Sequence, residues 1–134
     1  MGKTPIPGVQ WVESAADLDR IEFYDEMAEI EVPVSALDRL PFKNEDRGES
    51  VRLDVVMRSI RRHGYNNSVP VIVRLGRRGR WVIVDGGHRV TAARRVSGEF
   101  FTNLFGRKVK TIHFLLYRTP LTNSRLGEPE DAPT

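Results

Sequence analysis

The chain has no cysteine among its 134 residues. That absence excludes disulfide bonds, a thiol nucleophile and a cysteine-ligated zinc site. Its three histidines, His63, His88 and His113, do not have the spacing of metal ligands. We therefore expect neither zinc nor haem in this protein.

Long apolar runs are also missing. No stretch approaches the ~20 residues that a membrane-crossing helix needs. The first residues do not show the basic segment followed by an apolar one that is typical of a secretory signal. We expect a cytoplasmic protein that makes no use of a membrane, with one domain large enough to bury a core.

Acidic residues are nearly absent from the middle of the chain. Residues 55–98 hold ten arginines and a single acid, Asp85, for a net charge of +9, whereas residues 1–54 carry −7. Arginine forms planar, bidentate contacts with phosphate, so this block favours a nucleotide or nucleic-acid partner. The alternative is a solvated basic surface that the acidic half offsets within one fold.

The pattern of apolar residues predicts an α+β domain, a small mixed sheet with helices packed on one face. We expect an acidic N-terminal extension over 1–27 with a helix in 15–28, the domain itself over 28–118, and a disordered tail over 119–134. Pro33 suggests that the first strand lies at a sheet edge. The remaining predicted elements are strands at 30–34, 69–75, 80–84 and 109–117 and helices at 50–62 and 87–96.

The junction between the strand at 80–84 and the following helix carries the strongest chemical signal. Its sequence, Asp85–Arg89, is Asp-Gly-Gly-His-Arg. Free amides at a helix start bind anions, and Gly86 and Gly87 let an anion approach the backbone. His88 and Arg89 add side-chain donors. The sequence therefore predicts a phosphate site here.

Three polar residues around this junction each have alternative roles. Thr91, in the first turn, either reaches the phosphate or bonds to its own helix. Arg89 is a phosphate donor or a structural partner of Asp85 or Asp54. Asp85 caps the helix, which we favour, orients His88, or binds Mg²⁺ beside a nucleotide.

Three stretches together resemble the ParB N-terminal/sulfiredoxin superfamily, over roughly residues 28–118. Residues 30–43 (IEVPVSALDRLPFK) are similar to its opening strand and loop, and residues 57–74 (MRSIRRHGYNNSVPVIVR) to its helix–Gly–Pro–strand core. Residues 84–93 (VDGGHRVTAA) are similar to its phosphate motif. The likeness implies a stand-alone domain of this fold, of the ParB-like nuclease type, that binds a nucleoside triphosphate (ATP or CTP) with Mg²⁺.

The resemblance also implies roles for single residues. Arg52 and Ser59 stand where sulfiredoxins bring a Lys and a Thr toward ATP. Gly87 stands where partition proteins have Glu, where sulfiredoxins have Cys, and where small free-amino-acid kinases have His. A chain without cysteine is not a sulfiredoxin, and Gly87 also departs from the switch chemistry of true partition proteins.

Two further groups of residues complete the set of candidates. A nuclease, NTPase or kinase of this fold needs carboxylates near the phosphates, and the candidates are Glu45, Asp46 and Glu49, with Asp54 beside them and His88 as a further catalytic candidate. The simpler interpretation of such an acidic loop is that its carboxylates are exposed to solvent. Basic residues that could follow a nucleic-acid backbone, or simply keep the surface soluble, are Arg61, Arg62, Arg77, Arg78 and Arg80.

These observations lead to one preferred function and two alternatives. We expect a domain that binds nucleotide or nucleic-acid phosphate, in DNA-associated regulation or a plasmid or phage accessory role. The first alternative is an enzyme of the same fold, a nuclease, NTPase or small-molecule phosphotransferase. The second is a basic module that binds DNA or protein without a nucleotide. A second copy of the chain, as a homodimer, is the remaining candidate partner.

Overall fold

The computed structural model describes residues 8–44, 51–99 and 109–118. Over these ranges the chain is a mixed α+β structure with one six-stranded sheet, which confirms the fold class predicted from the sequence. The strands are β1 (Gln10–Trp11), β2 (Met27–Pro33), β3 (Phe42–Lys43), β4 (Val71–Leu75), β5 (Trp81–Asp85) and β6 (Thr111–Tyr117). The α-helices are α1 (Ala15–Asp19), α2 (Val51–His63) and α3 (Gly87–Ser97), and 3₁₀ helices span Val34–Arg39 and Arg77–Gly79.

The strand order across the sheet is β1-β2-β6-β4-β5-β3. β6 pairs antiparallel with β2 and parallel with β4, and β4 and β5 form an antiparallel hairpin. β2 is therefore an internal strand, and the expectation from Pro33 of an edge strand is wrong. The reason is that β1 pairs only with Ile30 and Glu31, so Pro33 lies beyond β1 and no neighbour needs its missing amide.

One face of the sheet carries the hydrophobic core. Alternate residues of the two longest strands are buried, in β2 Ala28, Ile30 and Val32 and in β6 Ile112, Phe114 and Leu116. Helices α2 and α3 pack against that face, because each has an apolar stripe at helical spacing. The buried helical residues of this core cluster are Leu53, Met57, Ile60, Val90, Ala92, Ala93 and Val96.

The segment before β2 differs from the predicted helix over 15–28. α1 ends at Asp19, although it begins as expected, with the Ser14 side chain accepting a hydrogen bond of 3.2 Å from the Asp17 amide. A turn with positive φ at Asp25 and Glu26 then leads into β2. β1 was not predicted, since two residues carry no periodicity. Val12 and Leu18 of this segment belong to the core cluster.

The elements that frame the predicted phosphate site follow the sequence prediction closely. α2 ends at His63, β4 and β5 are joined by a short turn, and α3 begins directly after β5. The predicted tail, 119–134, lies outside the described residues. None of the helices in the described ranges has the length and apolar content to cross a membrane.

Candidate functional site

The turn between β5 and α3 is built around Gly86. This residue precedes the helix with φ of 100°, a left-handed conformation that a side chain disfavours. A Cβ here would also lie 2.8 Å from Arg89 Nη2 and 3.1 Å from Val71 Cγ2. Glycine is thus required both by the backbone angle and by the close packing of β4 and α3 against the turn.

The first turn of α3 leaves its leading amides open. The first intrahelical bond is donated by the Val90 amide to the Gly86 carbonyl, 3.1 Å. Within the part of the chain that the structure describes, the amides of Gly87, His88 and Arg89 have no acceptor, and no side chain caps the helix. The expectation that Asp85 caps α3 is therefore wrong: Gly86 occupies the capping position, and Asp85 is exposed at the end of β5.

The guanidinium of Arg89 is directed at the backbone before β4. It donates to the carbonyl of Val69 and, at 3.2 Å, to the carbonyl of Pro70. Neither Asp85 nor Asp54 is its partner among the described residues. Arg89 therefore ties the start of α3 to the chain entering β4 and fixes the geometry of the turn.

Tyr65 is the other polar side chain beside Arg89. Burial raises the pKa of the Tyr65 hydroxyl above its ordinary value, and the nearby Arg89 cation partly opposes that rise. The buried hydroxyl makes no hydrogen bond with the described part of the chain. The Tyr65 ring packs against the hydrophobic core, with its hydroxyl near the Arg89 guanidinium.

Asn44 is a residue of this site that the sequence did not single out. Its side-chain amide donates to the Gly87 carbonyl at 3.3 Å and to Thr91 Oγ1 at 3.2 Å. Its oxygen occupies the space beside residue 87, 2.5 Å from where a Cβ would be. The contact joins residues 43 positions apart, so no local sequence pattern could have indicated it.

Thr91 and His88 differ in how far they are available to a ligand. Thr91 is buried, and its hydroxyl accepts the hydrogen bond from Asn44, so it belongs to the support of the turn. The His88 side chain is partly exposed, and no hydrogen bond to it occurs among the described residues. His88 is therefore the side chain of the motif that is left to meet a ligand.

Helix α2 places its candidate residues in two different settings. Arg52 and Ser59 are exposed and lie seven residues apart, on one side of the helix. Arg61 instead pairs with Glu99, with Nη2 to Oε2 at 2.6 Å and Nε to Oε1 at 2.9 Å. That carboxylate raises the pKa of Arg61. Arg62, next to it, is exposed.

The β4–β5 hairpin presents further arginines at its tip. Arg78 is exposed with φ of 62°, and Arg80 is exposed at the last position before β5. Arg77 lies in the same 3₁₀ turn, but its side chain is outside the described part of the structure. The tip is at the opposite end of β5 from Gly86, a separation of roughly 17 Å over five residues of strand.

The predicted carboxylates lie mostly outside the described ranges. Glu45, Asp46 and Glu49 fall in residues 45–50, which the structure does not describe, and Asp54 is exposed on α2. In the described ranges, no three His, Asp or Glu side chains are grouped so as to hold a metal ion. The site as described therefore consists of backbone donors, His88, and the residues that shape the turn.

Comparison of the chain with known protein families, curated proteins and solved structures finds no match.

Proposed function

We propose that this chain binds the phosphate groups of a nucleotide at the N-terminus of α3, as a stand-alone domain of the ParB N-terminal/sulfiredoxin superfamily. The observation that carries the proposal is the set of open amides at Gly87, His88 and Arg89, which follow a left-handed glycine. Such amides carry partial positive charge and point toward a bound anion. The order of strand, helix, hairpin and helix around the turn supports the superfamily assignment.

The side chains around the turn have different roles in the proposed site. His88 is partly exposed in the first turn and supplies a donor to the phosphate. Arg89 holds the turn through two carbonyls and contributes its charge from one side, without direct contact. Asn44 fills the space that a larger residue at 87 would take. The cradle is thus formed by backbone, which suits an oxygen-rich ligand such as a triphosphate.

Magnesium fits this proposal through a single carboxylate. Mg²⁺ at nucleotide sites is usually held by one or two carboxylates together with the phosphates and water. Asp85 directly precedes the cradle, is exposed, and does not cap α3. Asp85 would therefore hold the ion that accompanies ATP or CTP, and the ion would neutralise part of the phosphate charge.

Nucleic acid is the second phosphate-bearing partner in the proposal. Residues 55–98 carry a net charge of +9. Arg74 of this block is buried, and Arg61 and Arg94 are ion-paired. Arg78 and Arg80, in contrast, are exposed at the hairpin tip, far from the cradle along β5. A polyanion can neutralise such a surface, and its affinity then depends on salt. On this basis the protein acts in DNA-associated regulation, with the nucleotide at α3 and DNA on the basic surface.

The proposal is one of binding and not of catalysis. Within the described ranges no carboxylate hydrogen-bonds to His88, so the imidazole beside the open amides has no carboxylate partner there to form an acid–base pair with it. Gly87 stands where relatives of the proposed superfamily carry a reactive or ionisable side chain. Phosphate recognition by backbone amides needs neither feature.

A carboxylate placed in the first turn of α3 tests the proposal. His88→Glu puts a negative charge next to the open amides, where it competes with phosphate and interacts favourably with the helix dipole. In isothermal titration with ATP, CTP, GTP and ADP, we expect at least one nucleotide to bind the native chain and to bind the variant about tenfold or more weakly.

The matched control is Arg80→Gln, which changes the net charge by the same amount at the far end of β5. It should retain nucleotide affinity. The proposal fails if none of the four nucleotides binds the native protein. It also fails if His88→Glu binds as tightly as the native chain.

A further inference from the structure

A groove runs along the side of α3, separate from its N-terminus. It lies between α3 and the 3₁₀ helix Val34–Arg39, and its volume is about 600 Å³. Its α3 wall is one helix face, at positions 91, 94, 95 and 98. On the 3₁₀ side the groove is lined by Ser35 and Asp38 among others.

The ionic contact at the rim of this groove is weakly held. Arg94 donates to Asp38, but the two side chains are 48% and 74% exposed. An ion pair that exposed contributes between nothing and about 1 kcal/mol. An anion that enters the groove can therefore replace Asp38 on the Arg94 guanidinium, because little free energy is lost with that ion pair. The guanidinium can then form a bidentate contact with the anion.

The remaining lining supplies polar contacts along the groove. Thr91 is buried on the α3 side of the groove, where its hydroxyl accepts from Asn44, and the Ser97 hydroxyl donates to the Val109 carbonyl at 3.2 Å. Ser35 is exposed on the opposite wall. The stretch from Thr91 to the C-cap residue Gly98 is seven residue steps long and spans roughly 10 Å. The volume lies within the range of small-molecule pockets, about 300–1,000 Å³.

We propose that this groove binds a small organic anion, held by Arg94 through its phosphate or carboxylate group and by the exposed Ser35 hydroxyl through its other polar atoms. The site is distinct from the nucleotide cradle, because Arg94 lies beyond the open amides by roughly 8–10 Å along α3. Either site can therefore be present without the other.

Two substitutions that break the same ion pair should change the affinity for the anion in opposite directions, and together they test this proposal. Arg94→Gln removes the anion's partner and should weaken binding about tenfold or more. Asp38→Asn removes the competing carboxylate and should strengthen binding about threefold. The probes are ribose 5-phosphate and citrate, which separate phosphate from carboxylate chemistry, and binding is followed by amide NMR.

The location of the shifted resonances decides between the two sites. We expect the amides of Ser35 and Gly98 to shift with at least one probe, and Arg80→Gln to leave the affinity unchanged. A structural role for the ion pair alone would move both variants in the same direction, which would overturn the proposal. Shifts confined to the amides of Gly87 and His88 would also overturn the proposal. The absence of any shift at a probe concentration of about 10 mM would do so too, because a site with millimolar affinity is mostly occupied at that concentration.

Discussion

The side-chain oxygen of Asn44 occupies the space beside Gly87, 2.5 Å from where a Cβ would stand. The same side chain donates to the Gly87 carbonyl and to Thr91 Oγ1, so it cannot easily swing away. This contact links the loop before α2 to the first turn of α3. It also gives a packing reason for glycine at a position where a larger residue would otherwise suit a helix.

The effect of Gly87→Ala should depend on Asn44. In the native chain the new methyl displaces the Asn44 amide, and we expect a loss of about 1 kcal/mol or more in unfolding free energy. In the Asn44→Ala background the space is free, and alanine is favoured over glycine in a helix by about 0.5–1 kcal/mol. Urea denaturation of the four proteins measures both effects. The same sign in both backgrounds would contradict the contact.

Gly86 and Gly64 form a matched pair for separating backbone strain from crowding. Both have positive φ, 100° and 86°, but a Cβ at 64 meets nothing within 4 Å, whereas one at 86 meets Arg89 and Val71. We expect Gly64→Ala to cost about 1–2 kcal/mol from the backbone alone. Gly86→Ala should cost at least about 1 kcal/mol more. Equal losses in thermal or urea unfolding would show that the turn is not crowded.

The environment of Tyr65 predicts a dependence of stability on alkaline pH. Since burial raises the pKa of its hydroxyl in the folded state, the unfolded chain loses the proton first as the pH rises. The unfolding free energy should therefore fall between the ordinary value of 10.0 and the folded pKa. Tyr65→Phe should remove this part of the slope and cost little stability at neutral pH. An unchanged slope in the variant would contradict this assignment.

Replacing Arg89 should affect the same hydroxyl. Its cation opposes the effect of burial, so Arg89→Gln should raise the pKa of Tyr65 further, as ultraviolet absorbance of the phenolate reports. The variant also loses the bonds to the carbonyls of Val69 and Pro70. We expect a destabilisation of about 1–3 kcal/mol. A variant of native stability would show that Arg89 does not hold the turn.

The arginines should contribute unequally to DNA binding. Arg78→Gln and Arg80→Gln each remove an exposed charge at the hairpin tip and should lower the slope of log K against log salt by about 1. Arg61→Gln is the comparison, because its guanidinium is held by Glu99 and should leave the slope unchanged. Mobility shifts at several salt concentrations measure these slopes. Unchanged slopes in Arg78→Gln and Arg80→Gln would contradict a role of the hairpin tip, and an equal loss with Arg61→Gln would contradict the unequal contributions.

The main elements of the fold were predictable from the sequence because their patterns are local. The apolar spacing of α2, the hairpin between β4 and β5, and the Asp-Gly-Gly start of α3 each lie within a short window. β1 was not predictable, because a two-residue strand exists only through its pairing with Ile30 and Glu31. The start of α1 after Ser14 was predicted, but its end at Asp19 was not, since the turn at Asp25 and Glu26 follows from where β2 must start.

The candidate site was predictable in its backbone and less so in its side chains. The glycine turn and the helix start follow from residues adjacent in sequence. Three of the site's contacts join residues that lie 19–43 positions apart in the sequence. They are the contacts of Arg89 with Pro70, of Asn44 with Gly87 and of Arg61 with Glu99. Such contacts are set by the packing of loops, which sequence periodicity does not report.

The open amides of α3 are the central claim, and an amide NMR titration with ATP and with adenosine tests it most directly. The account predicts that ATP moves the resonances of Gly87 and His88 more than any others, and that adenosine, which has no phosphate, leaves them in place. Shifts of these two amides by adenosine equal to those by ATP, or no shift of either amide with ATP, would contradict the account.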